Sequence, residues 1–453
     1  MQFLLKQEKF LEKYIYGLCV AILMTETIST KGSGSAVNWK LFYTSWGGWT
    51  LDGFTAFIYA FVNVVTTDYL LKASGISLSY KDFFLEAFFA VFLLGWGASV
   101  IFGPISDKYG RIKTLAISVV LFAVGSILSG IATNAYEFMV FRFIVGLGIG
   151  SVWFTGGNAV AEAFPENKRV MGAGLFHTGY YFGFFFAAMA YLILFPYIGF
   201  RGLLMLGALP VLFVAYLGFS TKEPERWVKV QETTKISVKK SFFSAFSKEY
   251  RKTTIAGSIV LIAVIVGLYG GTVYVPDVTI NIISRLSHFP YPTIDVVAAA
   301  GAEVSLFTVI GCLIMPFLSE RFGRRKTEII FLALMAISVF LIYDVVFYSS
   351  SLVELFVAIP FLGLGGADFA VFTLWLPELY PTEFRGSGFA FVTSVGRFFA
   401  AAVIFGIGAL ALAVGFGHAV AYTAIGFIVV IPLVFLMNET KGKGLNEDLT
   451  INK

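Results

Sequence analysis

Gly103-Pro104-Ile105-Ser106-Asp107-Lys108-Tyr109-Gly110-Arg111-Ile112-Lys113 and, far down the chain, Ser319-Glu320-Arg321-Phe322-Gly323-Arg324-Arg325-Lys326 are two writings of one pattern. An acid, a base, an aromatic residue, a glycine and an arginine follow in that order. The register that matches Asp107 to Glu320 also matches Gly110 to Gly323 and Arg111 to Arg324. Two more landmarks repeat in sequence. Glu162-Ala163-Phe164-Pro165, followed by Arg169 and Gly172, answers to Glu378-Leu379-Tyr380-Pro381, followed by Arg385 and Gly388; Glu223 answers to Glu439. Matched landmarks in the same order make the second half of the chain a repeat of the first.

Apolar stretches flank these loops. A membrane span needs about 20 mostly apolar residues, and twelve stretches approach that length: 43–66, 83–104, 114–132, 138–164, 170–195 and 202–220, then 254–276, 296–318, 329–347, 352–376, 387–414 and 418–437. Composition agrees. Of 453 residues, 58% are hydrophobic and 13% charged, against about 25% charged in soluble domains, and the mean hydropathy is +0.82. A soluble fold of this size has too little interior for so much apolar surface. The expectation is an all-α membrane protein of twelve transmembrane helices in two pseudo-symmetric six-helix bundles. Its parts are an N-terminal extension (1–40), a first bundle (41–220), a linker (221–253), a second bundle (254–437) and a tail (438–453).

The basic residues give the orientation. Lys108, Arg111, Lys113, Lys168, Arg169, Arg321, Arg324, Arg325, Lys326 and Arg385, with the Lys- and Arg-rich linker, fall on one side; Lys72, Lys81, Arg201 and Arg285 fall on the other. Positive charge marks the cytoplasmic side, so both termini are expected in the cytoplasm, in the cell membrane. The net charge of +5 then needs no nucleic acid. In the extension, the apolar run Tyr14–Met24 follows Lys6, Lys9 and Lys13. It is too short to span and reads as a signal-like segment, an interfacial helix or residues upstream of a start at Met24.

Two cysteines and three scattered histidines offer neither a disulfide framework nor metal-ligand spacing. Without a phosphate loop, GxSxG or HExxH, nothing points to an enzyme, a cofactor or a metal. The repeated loops instead suit gating. Acids and bases on Gly-turned loops can pair with neighbouring helix ends in one state and release them in another. Gly103, Asp107, Gly110, Arg111, Glu162, Arg169, Glu320, Gly323, Arg324, Glu378 and Arg385 are the candidate cytoplasmic gate; the alternative is that they only mark the inner face.

These residues carry a family resemblance. Gly103–Lys113 resembles the signature loop of the major facilitator superfamily, and Ser319–Lys326 its second-half copy. Arg142-Phe143-Ile144-Val145-Gly146-Leu147-Gly148 resembles the family's fourth-helix motif. Glu223-Pro224-Glu225-Arg226-Trp227 and Asn438-Glu439-Thr440-Lys441-Gly442 resemble motifs of sugar porters and their relatives. Trp49-Thr50-Leu51-Asp52-Gly53-Phe54 resembles the opening of the sialate and organic-acid proton symporters, as do Gly396-Arg397 and Tyr274-Val275-Pro276. Thr55 departs from that opening, where those groups often carry a second Asp. The resemblance implies a monomeric secondary transporter with a cavity between its halves.

Ionisable groups at membrane depth cost about 2.5–3.5 kcal/mol on insertion scales, so each needs a reason. Asp52 and Arg142 are the candidate proton-coupling pair, since the resembling fold lines its first-half cavity with helices one and four; a permanent structural pair is the alternative. Arg397 offers a bidentate fork for a substrate carboxylate or pairs with Glu303 or Asp368, which are themselves candidate second proton sites. Trp49 and Tyr180 are candidate substrate contacts. His177 reads as structural or as a gate. The spans hold few amides, which sugar recognition favours. The chain is therefore expected to carry a small organic anion with protons. A sugar porter is the alternative, with a proton-antiport exporter and a transporter-like sensor behind it.

Overall fold

A computed structural model describes residues 37–209, 211–212, 221–234, 236–286 and 290–445. The described residues are helical, with no strand among them. That is the backbone solution lipid enforces, because an unpaired N–H or C=O there has no water to bond. The helices used below are α1 (Trp39–Ala73), α2 (Lys81–Ala98), α3 (Phe102–Tyr109), α4 (Arg111–Ile131), α5 (Ala135–Ala163), α6 (Arg169–Leu206), α7 (Glu225–Thr233), α8 (Val238–Ser244), α9 (Arg251–Gly271), α10 (Val275–Arg285), α11 (Thr293–Phe322), α12 (Arg324–Phe340), α13 (Leu352–Gly365), α14 (Asp368–Leu379), α15 (Arg385–Val414), α16 (Phe416–Ala421) and α17 (Ala424–Leu433).

Local sequence sets their ends. The Asn38 side chain accepts from Leu41 N and starts α1, and Asn134 caps α5 through Tyr136 N and Glu137 N, as N-caps do. Gly110 (φ 118°) separates α3 from α4 and Gly323 (φ 89°) separates α11 from α12. Both hold the positive φ that the matched loops require and that only glycine adopts without strain.

Among the described residues, eleven helical segments are long and apolar enough to cross a membrane. Residues 210 and 213–220 of the sixth expected stretch lie outside the described residues, as does most of the N-terminal extension. A break at Gly199 (φ 60°) inside α6 separates the fifth stretch from the start of the sixth. On α4, Ile117, Val120, Val124, Ile127 and Ile131 are exposed at helical spacing, while Leu115, Val119, Phe122 and Ala123 are buried. An apolar outer stripe over an equally apolar inner face is what a helix between lipid and protein presents.

Packing brings the sequence halves together. Within the first half α1 lies on α6 and α2 on α5; within the second, α9 lies on α15 and α11 on α13; between them, α6 meets α11 and α2 meets α15. Two first-half crossings depend on reciprocal glycines. A Cβ on Gly53 would lie 2.1 Å from the Tyr180 carbonyl oxygen, and one on Gly183 2.1 Å from that of Thr50. Gly95 and Gly146 hold α2 against α5 in the same way, at 2.1 Å from Phe143 O and 2.0 Å from Phe92 O. Small residues buy this closeness between helices in lipid.

Candidate functional site

The middle of the molecule is an aromatic layer. Trp49 of α1 stacks on Tyr180 of α6 at 4.6 Å, with Phe176 and Trp153 in near-parallel planes at 6.0 and 6.1 Å. Trp153 Nε1 donates to Thr373 Oγ1 (2.8 Å), and His177 Nδ1 is 2.9 Å from the same hydroxyl. This short chain joins α5 and α6 to α14, across the two halves of the sequence. His177 is buried within it.

Asp52 lies one turn beyond Trp49. It is fully buried, and neither carboxylate oxygen has a hydrogen-bond partner. The arginine whose charge acts on it is Arg397 of α15. Arg142, the partner expected from the sequence, does not pair with Asp52 in this structure. Its guanidinium lies over the rings of Tyr59 (4.2 Å) and Phe92 (4.5 Å), a cation–π seat in which π faces stand in for a counter-ion. Arg397 lies over Trp96 (4.0 Å) and 5.4 Å from Trp153, and donates to Thr393 O. Trp49 Nε1, His177 Nε2 and both ends of the Asn158 amide are also buried without a hydrogen-bond partner. Such groups are uncommon in a packed interior.

Beside this layer is a cavity of about 460 Å³. Its inner wall is Phe57, Tyr59, Phe92, Tyr180 and Tyr181, and its rim, toward the end that carries Lys81, holds Asn63, Glu86, Tyr274 and Asp277. Tyr274 donates to Glu86 (2.8 Å), and Asn63 approaches both Asp277 oxygens at 3.5 Å. Of the expected substrate contacts, Tyr180 lines the cavity and Trp49 stacks behind it. Arg397 is set back behind Trp96 and Trp153. Glu303 is half-buried on α11, and Asp368 is fully buried at the start of α14, accepting from Phe369 N at 2.7 Å. Neither lines the cavity.

The other end, where the repeated loops lie, is held shut. Arg111 Nη1 donates to Asp107 (2.6 Å), and its Nη2 donates to Glu162 (3.2 Å) and Thr382 O (3.0 Å). Arg385 reaches the same Glu162 oxygen at 2.7 Å. Asp107 also accepts from Gly386 N, Ser387 N and Ser387 Oγ, each at 2.8 Å, and from Ser241 Oγ at 2.6 Å. Its carboxylate thus sits on the first turn of α15, where unpaired N–H groups and the helix dipole favour an anion. Gly103 permits the approach, since a Cβ there would lie 2.8 Å from Gly386 O. Trp227 and Gln231 of α7 donate to the Asp107 carbonyl at 2.9 and 2.7 Å.

The second copy is wired differently. Arg324 grips Glu378 through Nη2 (2.7 Å) and Nε (3.1 Å), and Thr440 donates to the same carboxylate. Glu320 is exposed, and Arg169 meets the exposed Glu166 at 3.7 Å. The charged gate candidates therefore fall into two ion-pair groups, one of Asp107, Arg111, Glu162 and Arg385 and one of Arg324 and Glu378, with Arg169 paired instead to Glu166 and Glu320 outside both.

Sequence reasoning used Glu223 and Glu439 as landmarks and missed their work. Glu223 accepts from Arg111 N (2.6 Å), Ile112 N (3.0 Å) and Lys113 N (3.2 Å), and Glu439 from Arg324 N (3.0 Å) and Arg325 N (3.1 Å). Each caps the helix that its loop glycine starts. Burial pushes the Glu223 carboxyl above its ordinary range despite those amides. At Glu439 burial pushes the same way but is outweighed by backbone N–H groups of Arg324, Lys441, Arg325 and Thr440, so the net direction is down.

Known proteins share this plan. A family profile described as "Major Facilitator Superfamily" matches residues 49–293, and one described as "Sugar (and other) transporter" matches residues 295–449. The sialic acid transporter NanX of Escherichia coli is 26% identical, over 79% of this chain and 83% of that protein. The cis,cis-muconate transport protein of Acinetobacter baylyi is 27% identical, over 84% and 94%. The proton:xylose symporter XylE superposes with a TM-score of 0.74 at 17% identity, covering 90% of this chain and 97% of that one; at that identity the likeness is one of fold.

Proposed function

The chain belongs to the major facilitator superfamily of membrane transporters, and on that premise we propose that it is a proton-coupled symporter of a small organic anion. The observation that carries the reading is Asp52, buried without a hydrogen-bond partner and acted on by Arg397, beside an aromatic layer. A buried ionised carboxylate is costly unless it is paired and hydrogen-bonded. One guanidinium serving two carboxylates gives the coupling. While Asp52 is ionised it holds Arg397; once Asp52 takes a proton, the fork of Arg397 is available to the substrate carboxylate. Substrate and proton then load together.

The basic end is taken as cytoplasmic by its charge. The cavity then opens outward while the Asp107, Arg111, Glu162 and Arg385 contacts close the inner side. Loading lets the two six-helix halves rock, breaking those contacts and exposing the site inward. In this account Arg142, Glu303 and Asp368 are secondary, Tyr180 faces the substrate with Trp49 stacked behind it, and the working unit is a monomer with both termini inside. The stacked Trp49, Tyr180 and Trp153 favour a planar, unsaturated carboxylate, in keeping with the muconate transported by one relative.

A sugar porter is the second reading, favoured by the second-half profile and the likeness to the xylose symporter. Binding separates the two. Trp49, Trp96 and Trp153 make intrinsic fluorescence a reporter of this layer. Quenching by benzoate, lactate, pyruvate or a sialic acid, absent in Arg397→Gln, supports the anion reading. Quenching by xylose or glucose with no response to the acids refutes it.

A further inference from the structure

Arg142 of α5 is a buried cation with no carboxylate on it. It is 1% exposed, and its Nε and Nη2 are buried without a hydrogen-bond partner. Those two nitrogens form one edge of the guanidinium. Arg324 uses the same edge to grip both oxygens of Glu378, through Nε (3.1 Å) and Nη2 (2.7 Å). The rings beneath Arg142 attract its charge but give those N–H groups no lone pair to bond. Among the described side chains, no acid on the helices packed against α5 meets Arg142. Toward the Lys81 end, Asp68 pairs with Lys81, Glu86 accepts from Tyr274 and Glu137 accepts from Thr133. Toward the basic end, Asp107 and Glu162 hold Arg111, Glu378 holds Arg324, and Glu225 and Glu232 are exposed. Nearer the middle, Asp368 accepts from Phe369 N, and the arginine that acts on Asp52 is Arg397.

The two central arginines are seated on one face of α2. The Arg142 guanidinium lies 4.5 Å from the Phe92 ring, and the Arg397 guanidinium 4.0 Å from the Trp96 ring. Phe92 and Trp96 are neighbours one turn apart on that helix, with ring centroids at 5.7 Å, and residues four apart share a side. Phe92 and Tyr59, the second ring under Arg142 at 4.2 Å, both line the cavity. We propose that Arg142 is a second carboxylate anchor beside Arg397, and that the substrate is a dicarboxylate. The proposal rests on the reading of Arg397 given above. Once a proton on Asp52 releases Arg397 to the substrate, two guanidinia serve one ligand. A dianion neutralises both, whereas a monoanion leaves the Arg142 edge without an acceptor. Arg142 belongs to the first half of the chain and Arg397 to the second. A dicarboxylate therefore ties the halves together through its own skeleton, which a monocarboxylate cannot do.

Isothermal titration calorimetry on the purified full-length protein compares fumarate, cis,cis-muconate and terephthalate with their monomethyl esters. Each ester keeps the carbon skeleton and removes one charge. At least one diacid is expected to bind about tenfold or more tightly than its ester, as hydrogen bonds to a charged group supply. Arg142→Gln should bring that ratio to about one. Arg142→Lys, which keeps the charge but not the two-nitrogen edge, should give an intermediate ratio. Circular dichroism establishes that each variant is folded, and Arg142→Lys carries the test if Arg142→Gln does not fold. A wild-type ratio near one overturns the proposal; esters that still bind, and lose binding in Arg397→Gln, would then leave the anion reading standing without it. A ratio that survives substitution of Arg142, even where diacid and ester both weaken, also overturns the proposal and gives Arg142 a structural role. Binding of xylose or glucose with neither acid form bound removes the anion reading and the proposal together.

Discussion

The loops at Gly103–Lys113 and Ser319–Lys326 share an order of residues, a positive-φ glycine and a distant glutamate that caps the following helix, yet they do different work. Asp107 crosses to the other half of the sequence and settles on the first turn of α15, with Ser241 of the linker bonded to it as well. Its counterpart Glu320 is exposed. Glu162 is shared by Arg111 and Arg385, one from each half, whereas Glu378 is held by Arg324 and Thr440. A repeated motif thus fixes the local turn in both places, while the latch between the halves is made by one copy. Bonds across the halves must break when this end opens; bonds within a half need not.

Mutations can break or sharpen this contrast, and the largest effect is expected at Asp107. Asp107→Ala removes an acceptor from four donors and takes a buried partner from Arg111, a loss of about 3–5 kcal/mol for a broken buried pair; Glu320→Ala is expected within about 0.5 kcal/mol. Thermal unfolding in detergent measures both, and equal shifts would remove the asymmetry. Glu162→Gln follows, at about 2 kcal/mol for charged hydrogen bonds lost to Arg111 and Arg385. It should also raise thiol labelling of cysteines placed at the basic end, whereas Glu378→Gln should leave that labelling near wild type.

Gly110→Ala and Gly323→Ala each impose a positive φ on a residue with a Cβ, about 1–2 kcal/mol. Gly110→Ala is expected to cost more, because its Cβ would lie 2.2 Å from Glu223 Oε1, against 2.7 Å from Glu439 Oε2 at Gly323. Melting temperatures in the reverse order would show that the second cap is the tighter one.

The smallest contrast is between the caps and depends on pH. Glu439, held below its ordinary range, contributes stability that is present above its unfolded value and lost as pH falls through the folded one. Glu223, pushed up, contributes in the opposite sense: its share is present below the unfolded value and lost as pH rises through the folded one. The gap between wild type and Glu439→Gln should therefore be widest at neutral pH and close on acidification, staying under about 1 kcal/mol because solvent screens a half-exposed carboxylate. Glu223→Gln should gain on wild type as pH rises. Melting curves across the carboxylate range that move in parallel for the two variants would contradict this.

Much of this was legible in the sequence because it follows from length, spacing and charge. Apolar stretches of span length predict helices, and the matched glycines predict the two turns where positive φ is found. Arg111, Arg324 and Arg385, placed on one side by the sequence, all join ion pairs at the end where the repeated loops lie. The charged interior was legible as residues but not as partners. The resemblance, in which helices one and four line the first-half cavity, pairs Asp52 with Arg142, yet Arg142 lies over two rings and Arg397 acts on Asp52 from the other half. Which cation meets which anion depends on helix rotation, and π faces, which no charge pattern shows, can take the place of a carboxylate. Ser241 and Gln231 look like ordinary residues of a charged linker and Trp227 like the end of a motif, yet all three bond Asp107. Glu328 sits directly after a basic run, where an acid looks like surface charge until its burial is seen.

Uptake driven by a proton gradient tests the central claim most directly. Proteoliposomes holding the purified protein would be given lactate, pyruvate, benzoate, a sialic acid, xylose and glucose, with and without an inward proton gradient, and Asp52→Asn alongside. The account predicts gradient-dependent accumulation of at least one carboxylate, no accumulation of either sugar, and loss of the gradient's effect in Asp52→Asn. Sugar accumulation with the acids inert, or an undiminished gradient effect in Asp52→Asn, would contradict it.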